Sequence, residues 1–184
     1  MSLQGHIILT AQSQLGTVEK GGPDGHSGNI VTYWDWWKQQ TGQNDQGASW
    51  CACFVSWVFA QNAASNLIPA KNPHGFIYCP DLYNYAKSHN LIVADKKLGQ
   101  PGDIILFDWQ GAGIADHVGI ITKNLSPQPF YQTIEGNTSP ENTTGSQSNG
   151  GGVYARNRHM DATIFAIVRP NYPQKLASLV STSN

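Results

Sequence analysis

Cys51 is the residue best suited to covalent chemistry, and it stands near the start of an apolar stretch over residues 50–59. A thiol attacks an acyl carbon as a thiolate, so it needs a lowered pKa, an imidazole to carry its proton and a polar group to fix the tautomer of that imidazole. Two later segments supply such groups. His117 opens one apolar run, and Glu135 and Asn137 lie near the end of another. These side chains predict a cysteine hydrolase.

A helix is the element that must position Cys51. Apolar residues follow it at the spacing of one helical face, namely Phe54, Val55, Val58 and Phe59. Ser49 is the expected N-cap, which places Cys51 in the first turn, where free backbone N–H groups and partial positive charge favour a thiolate. On such a helix Cys53 points about 200° away from Cys51. We therefore expect Cys53 to lie outside the pocket.

Strands must position the imidazole. Short β-rich runs separated by turn residues predict antiparallel strands over residues 103–107, 117–122 and 130–137. If the last two pair about a turn centred near Ser126, His117 falls opposite Glu135, with Asn137 on the same face. Adjacent strand residues face opposite ways, so Asp116 is expected to be a turn residue rather than a partner of His117.

Further candidates adjoin these residues in sequence. Trp50 and Trp109 are candidates for a substrate groove, because indole rings stack on sugars. Gln46 and Ser49 are candidates for a second oxyanion donor beside the backbone N–H of Cys51.

The chain has three cysteines. We expect Cys53 and Cys79 to be small buried residues. With Cys51 free, a disulfide could join only Cys53 to Cys79, and nothing in the sequence places those two together. The cysteines also lack the paired spacing of a zinc site, so no metal ligand is predicted.

Several sequence blocks, in the order in which they follow one another along the chain, resemble the CHAP family of cysteine, histidine-dependent amidohydrolases and peptidases. They are residues 11–16, taken to open the first helix, and residues 50–57, 101–104, 116–119, 135–137 and 168–170. The resemblance implies an α+β, papain-like fold in which N-terminal helices pack on a twisted antiparallel sheet. It implies that Cys51 is the nucleophile, that His117 is the general base and that Glu135 orients His117. Asn137 matches the family's frequent fourth polar residue.

The resemblance also implies a substrate, since such domains typically cut peptidoglycan. The bond would be the N-acetylmuramoyl-L-alanine amide or one within the stem peptide or cross-bridge, and the sequence leaves that choice open. Two alternatives are a thiol amidase or acyltransferase acting on a non-wall substrate and a non-catalytic wall-binding module. Some CHAP domains hold calcium, but the loop at residues 44–49 has one carboxylate, Asp45, which is too few oxygen ligands to predict a calcium site.

Composition agrees with one enzyme domain. At 184 residues and 40% hydrophobic, the chain can build one sizeable core, assigned to a catalytic domain over residues 1–172. The serine-rich stretch at 173–184 is interpreted as a tail or truncated linker to a missing wall-binding module. A net charge of −1 implies no basic surface for a nucleic-acid partner or an anionic membrane, and the lack of a long apolar stretch predicts no membrane insertion. No signal peptide is recognisable, so we expect either that the signal has been removed or that the enzyme reaches the wall by another route. Release from a host cytoplasm by a phage holin, as for many bacteriophage endolysins of this family, is such a route.

Overall fold

A computed structural model describes residues 1–23, 25, 28–141 and 143–173. Within them, helices precede an antiparallel sheet, which is the predicted α+β order. The helices are α1 (Leu3–Gln12), α2 (Thr32–Thr41), α3 (Cys51–Ala60) and α4 (Cys79–Ser88), with a short 3-10 helix at Ser65–Leu67. The strands are β1 (Ile104–Phe107), β2 (His117–Asn124), β3 (Phe130–Thr138), β4 (Gly152–His159) and β5 (Ile164–Val168).

The sheet has the order β4-β3-β2-β1-β5, and each neighbouring pair is antiparallel. The strands expected from residues 103, 117 and 130 onward are all present. β4 was not predicted, and it pairs along most of β3. Apolar residues are buried on both faces of the sheet, because Ile105, Phe107, Ile121 and Tyr131 belong to a second, smaller cluster apart from the main core.

Helix α3 forms the centre of the main core. Most of its residues are buried, Trp57 and Ala60 being the exceptions, as expected for a helix that is apolar on nearly every side. The predicted N-cap is wrong: Trp50 caps α3 without a side-chain bond, and Ser49 is exposed. The block at residues 11–16 likewise closes α1 at Gln12 instead of opening a helix.

Gly136 allows β3 to approach the start of α3. A Cβ at this position would come within 2.7 Å of Phe54 Cβ and 2.8 Å of Trp50 Cζ3. The register of β3 against β4 then shifts between Glu135 and Thr138. The close contact holds the end of β3 beside the first turn of α3.

The ends of the chain complete the description. The serine-rich tail predicted for residues 173–184 lies, after residue 173, outside the described residues. No helix among the described residues is long and apolar enough to cross a membrane.

Candidate active site

His117 and Glu135 form a buried ion pair. His117 Nε2 lies 2.9 Å from Glu135 Oε2, and neither side chain is exposed to solvent. The strands bring this pair together as the sequence predicts. With its hydrogen on Nε2 bonded to the carboxylate, a neutral imidazole keeps its Nδ1 lone pair for another group.

The register that produces this contact differs from the predicted one. Ile120 pairs with Ile134, so Glu135 lies beside Gly119 and not opposite His117. A Cβ at position 119 would come within 2.5 Å of Glu135 Cγ. The missing side chain of Gly119 lets Glu135 cross β2 diagonally and reach the imidazole.

Arg158 of β4 holds the other side of the carboxylate. Its Nε donates to Glu135 Oε1 at 2.7 Å, and its second guanidinium nitrogen donates to Oε2. Thr133 Oγ1 donates to Oε1 at 2.5 Å. Burial alone would raise the pKa of Glu135, but these bonds to Arg158, followed by those of His117, lower it to about 2. Glu135 is therefore a carboxylate at any physiological pH.

Cys51 is the first residue of α3 and is 4% exposed. A side-chain hydrogen bond from Cys79 lowers the pKa of its thiol; burial opposes this, while His117 and the Ala52 N–H lower it further. The net effect is a pKa well below the ordinary value. The position at a helix N-terminus acts in the same direction.

His117 is shifted in the opposite direction. Burial lowers the pKa of its imidazole, but the thiol of Cys51 and the carboxylate of Glu135 outweigh burial and raise the pKa to about 9. Nδ1 is buried and has no hydrogen-bond partner among the described residues, so it is available to exchange a proton during the reaction. The arrangement favours a Cys51 thiolate beside a His117 imidazolium.

Asn137 lies apart from this contact. It is buried, in the left-handed backbone region at φ 57°, and its Nδ2 is 3.3 Å from both Ser148 O and Asn149 Oδ1. These bonds tie the β3–β4 loop to the end of β3. Asn137 has no hydrogen bond to His117 in the described part of the chain, and its role in catalysis stays a prediction.

The two tryptophan candidates occupy different places. Trp50 is not exposed at all, and its Nε1 donates to Glu19 Oε2 at 2.8 Å. A core residue of this kind cannot stack on a substrate, so Trp50 is no longer a groove candidate. Trp109 is partly exposed, with its ring 6.4 Å from that of His117 and 4.8 Å from the Arg158 guanidinium carbon. Trp109 remains a candidate for contact with substrate.

Neither proposed side-chain oxyanion donor faces the thiol. Gln46 exchanges bonds with the backbone of Val31 and donates to Asp35 Oδ1 at 2.9 Å. Ser49 is exposed and makes no side-chain hydrogen bond within the described residues. Asp116 accepts the N–H of Trp109 at 3.1 Å, as expected for a turn residue. The free backbone N–H groups at the start of α3 therefore remain as the candidate oxyanion donors.

The three cysteines are all buried and unbridged. Cys53 lies away from the pocket as predicted, with its thiol 3.4 Å from Tyr33 O. All three thiols are free, so the disulfide between Cys53 and Cys79 considered from the sequence does not form. Among the described residues, no group of three His, Cys, Asp or Glu side chains could hold a metal ion.

Sequence reasoning missed Arg158 and Cys79. Arg158 alternates with Arg156 along β4, and both are buried, at 6% and 8% exposure. Arginines in a strand are usually read as solvent-facing, so only their spacing by two residues could have indicated a shared face. No local signal connects Cys79 to Cys51, whose pKa it lowers, because that influence depends on how distant segments of the chain pack.

Comparison with known proteins identifies the family of this chain. The CHAP domain model matches residues 42–137, just over half of the 184 residues. The chain belongs to the CHAP family. The match spans Cys51, His117, Glu135 and Asn137 and ends before β4, so Arg158 lies outside the matched segment.

The search of solved structures found, among others, two proteins similar to this chain. The peptidoglycan hydrolase RipB of Mycobacterium tuberculosis is 20% identical, with a TM-score of 0.51, over 91% of this chain and 64% of that one. The resuscitation promoting factor interacting protein RipA is 18% identical, with a TM-score of 0.49, over 91% and 62%. The CHAP chain thus spans under two thirds of their length. No curated protein matches it.

Proposed function

We propose that this CHAP protein is a peptidoglycan hydrolase that cleaves an amide bond through Cys51, His117 and Glu135. The observation that carries the proposal is the buried line of Cys51, His117, Glu135 and Arg158, in which negative and positive groups alternate. Each charge has an opposite neighbour, so an ion pair ready for nucleophilic attack can persist away from water. RipB, whose fold this chain shares, is named a peptidoglycan hydrolase.

Acylation begins at the thiolate. Cys51 Sγ attacks the amide carbon, and the electron pair of the carbonyl moves onto its oxygen. The oxyanion accepts hydrogen bonds from free N–H groups at the start of α3. As the tetrahedral intermediate collapses, the C–N bond breaks and the leaving amine takes the proton from His117 Nδ1. A thioester on Cys51 and a neutral imidazole remain.

Deacylation uses the same imidazole as a base. A water gives its proton to His117 Nδ1 and attacks the thioester carbon, after which the C–S bond breaks. The carboxylic acid product leaves, and the Cys51 thiolate and the imidazolium are restored. Glu135 keeps the imidazole oriented through both steps, and Arg158 keeps Glu135 charged.

The substrate approaches along the side of Trp109 in this proposal. The ring is partly exposed beside His117, whereas Trp50 is closed off in the core. We assign catalysis to residues 1–172, the span that contains every element of the site.

Digestion of purified Gram-positive peptidoglycan tests the proposal, with the new end groups identified by mass spectrometry. A new amine on L-alanine identifies an amidase, and one on glycine or a diamino acid identifies an endopeptidase. Cys51→Ala should abolish cleavage with the fold intact, whereas Cys53→Ala should affect mainly packing. Wild-type protein that releases no new amine from any wall preparation would overturn the proposed substrate, and an active Cys51→Ala protein would overturn the mechanism.

A further inference from the structure

Gln147 of the β3–β4 loop lies between two buried arginines of β4. Its Oε1 accepts a hydrogen bond from Arg156 at 2.8 Å and another from Arg158 at 2.7 Å. Arg156 is 8% exposed and Arg158 is 6% exposed, while Gln147 is partly buried. One amide oxygen therefore joins two cations that water barely reaches.

The two guanidinium groups are like charges on one face of a strand. Arg156 and Arg158 stand two residues apart on β4, so their side chains point to the same side. Burial, followed by the charge of Arg158, lowers the pKa of Arg156, as expected for neighbouring cations in a poorly solvated place. Arg158 donates to the Glu135 carboxylate, whereas Arg156 donates to the backbone oxygen of Ser139 and to Gln147. A neutral acceptor shared by both cations opposes their repulsion.

Arg158 has a partner for each of its three guanidinium nitrogens. Nε and Nη2 donate to Glu135, and Nη1 donates to Gln147. The guanidinium carbon also lies 4.8 Å from the ring of Trp109. With Gln147 in place, the guanidinium group cannot rotate away from the carboxylate without leaving a buried donor unpaired, which costs free energy.

We propose that Gln147 is a positioning residue that holds the Arg158 guanidinium on Glu135 and so keeps this carboxylate charged beside His117. The inference rests on the proposed function, in which Glu135 orients the catalytic imidazole. Gln147 exchanges no proton in this role, and it acts on the reaction only through Arg158. The β3–β4 loop thereby becomes part of the support of the active site.

The charge state of Glu135 separates this role from ordinary loop packing. The charged groups that face Glu135 are His117 of β2 and the two arginines of β4, and Cys51 of α3 acts on His117 in turn. Burial raises the pKa of Glu135, and Arg158 contributes most to lowering it to about 2. If the guanidinium group moves away, burial prevails and the carboxyl group takes up a proton at a higher pH. A loss of loop packing alone lowers stability and leaves this titration unchanged.

Carbon NMR of the glutamate side chains measures the titration without any substrate. The chain has three glutamates, at positions 19, 135 and 141, so a sample labelled with carbon-13 glutamate gives few signals, and Glu135→Gln identifies the signal of Glu135. In wild-type protein this carboxyl group should titrate with its midpoint at about 2. Gln147→Met removes the acceptor at similar side-chain length and should raise the midpoint by about one to two pH units. The acid limb of kcat/KM should move with it.

Two further variants sharpen the result. Gln147→Glu keeps a side-chain oxygen between the two guanidinium groups, so Glu135 should titrate as in wild type. Ser146→Ala is the matched control in the same loop, because Ser146 Oγ accepts the N–H groups of Ser148 at 3.3 Å and Asn149 at 3.0 Å and bonds to neither arginine among the described residues. Its loss should leave the titration unchanged. Thermal melting of each variant verifies folding.

The inference is overturned if the Glu135 titrations of Gln147→Met and wild type superimpose while only the melting temperature falls. It is equally overturned if Ser146→Ala or Gln147→Glu shifts the midpoint as far as Gln147→Met does. A shifted midpoint in a protein whose wild-type form cleaves no peptidoglycan would sustain the role of Gln147 and reject the proposed function. The two proposals can therefore fail separately.

Discussion

Glu135 reaches His117 across Gly119, whose missing Cβ leaves room for the carboxylate stem. An added methyl group would lie 2.5 Å from Glu135 Cγ, which is closer than non-bonded carbons approach. The ion pair of the site therefore depends on a glycine that takes no part in the chemistry.

Gly119→Ala should displace Glu135 and lower kcat/KM by about 100-fold, the scale of a misplacement of roughly 1 Å. Hydrolysis of purified peptidoglycan measures the loss. Gly5→Ala is the control, because the nearest atoms to its new methyl group are the flexible end of Met1 and the residue is helical. Full activity in Gly119→Ala would mean that Glu135 need not touch His117.

Glu135→Gln should lower kcat by about 10²- to 10⁴-fold with little change in KM, because the amide no longer balances the imidazolium. The comparison is Glu141→Gln, whose carboxylate accepts from Asn157 at 3.1 Å and should be dispensable for catalysis. A loss confined to KM in Glu135→Gln would place Glu135 in substrate binding instead.

Arg158→Met should destabilise the fold by about 3 kcal/mol, since it leaves the buried Glu135 carboxylate without its main partner. The side chains of that pair are 7% and 0% exposed. Lys71 pairs with Asp81 at 2.7 Å, but its side chain is 77% exposed, so Lys71→Met should change stability by under about 1 kcal/mol. Urea unfolding compares the two variants. Equal changes in both would show that the buried pair contributes no more than a surface one.

The pH profile of kcat/KM should have its alkaline limb near 9. The pKa of His117 is raised to about 9, so the imidazolium that protonates the leaving amine is present below that pH and is lost as the pH rises through it. In Glu135→Gln the carboxylate no longer raises the pKa of His117, so the residual activity should decline at a lower pH. If the alkaline limb stays at the same pH in Glu135→Gln, the group that titrates there is not His117.

The sequence predicts Cys51, His117 and Glu135 as site residues because the signals for them are local. An apolar helical face places Cys51 in a first turn, and strand alternation places His117 and Glu135 on one face. The pairing of β2 with β3 was misjudged because Asn124 pairs with Tyr131, which centres the turn between Pro127 and Gln128 and not near Ser126. The register then shifts once more between Ile121 and Lys123, which no turn position reveals.

Other parts of the site depend on packing between distant segments. Trp50 adjoins the nucleophile in sequence but turns inward to Glu19, because its indole N–H finds a buried acceptor there. Arg158 is buried only because Glu135 and Gln147 accept its hydrogen bonds. A charged residue on an unpredicted strand cannot be assigned to a core without its partner.

The burial of α3 has a consequence for the motions of the enzyme. Catalytic residues often lie on segments that open locally at little free-energy cost, but Cys51 begins the most enclosed helix of this fold. The amide hydrogens of α3 from Phe54 onward, which are hydrogen-bonded within the helix, should exchange with solvent only when the whole domain opens. Cys51 would then stay enclosed for as long as the protein stays folded. Heating should therefore abolish activity and tertiary structure in a single transition.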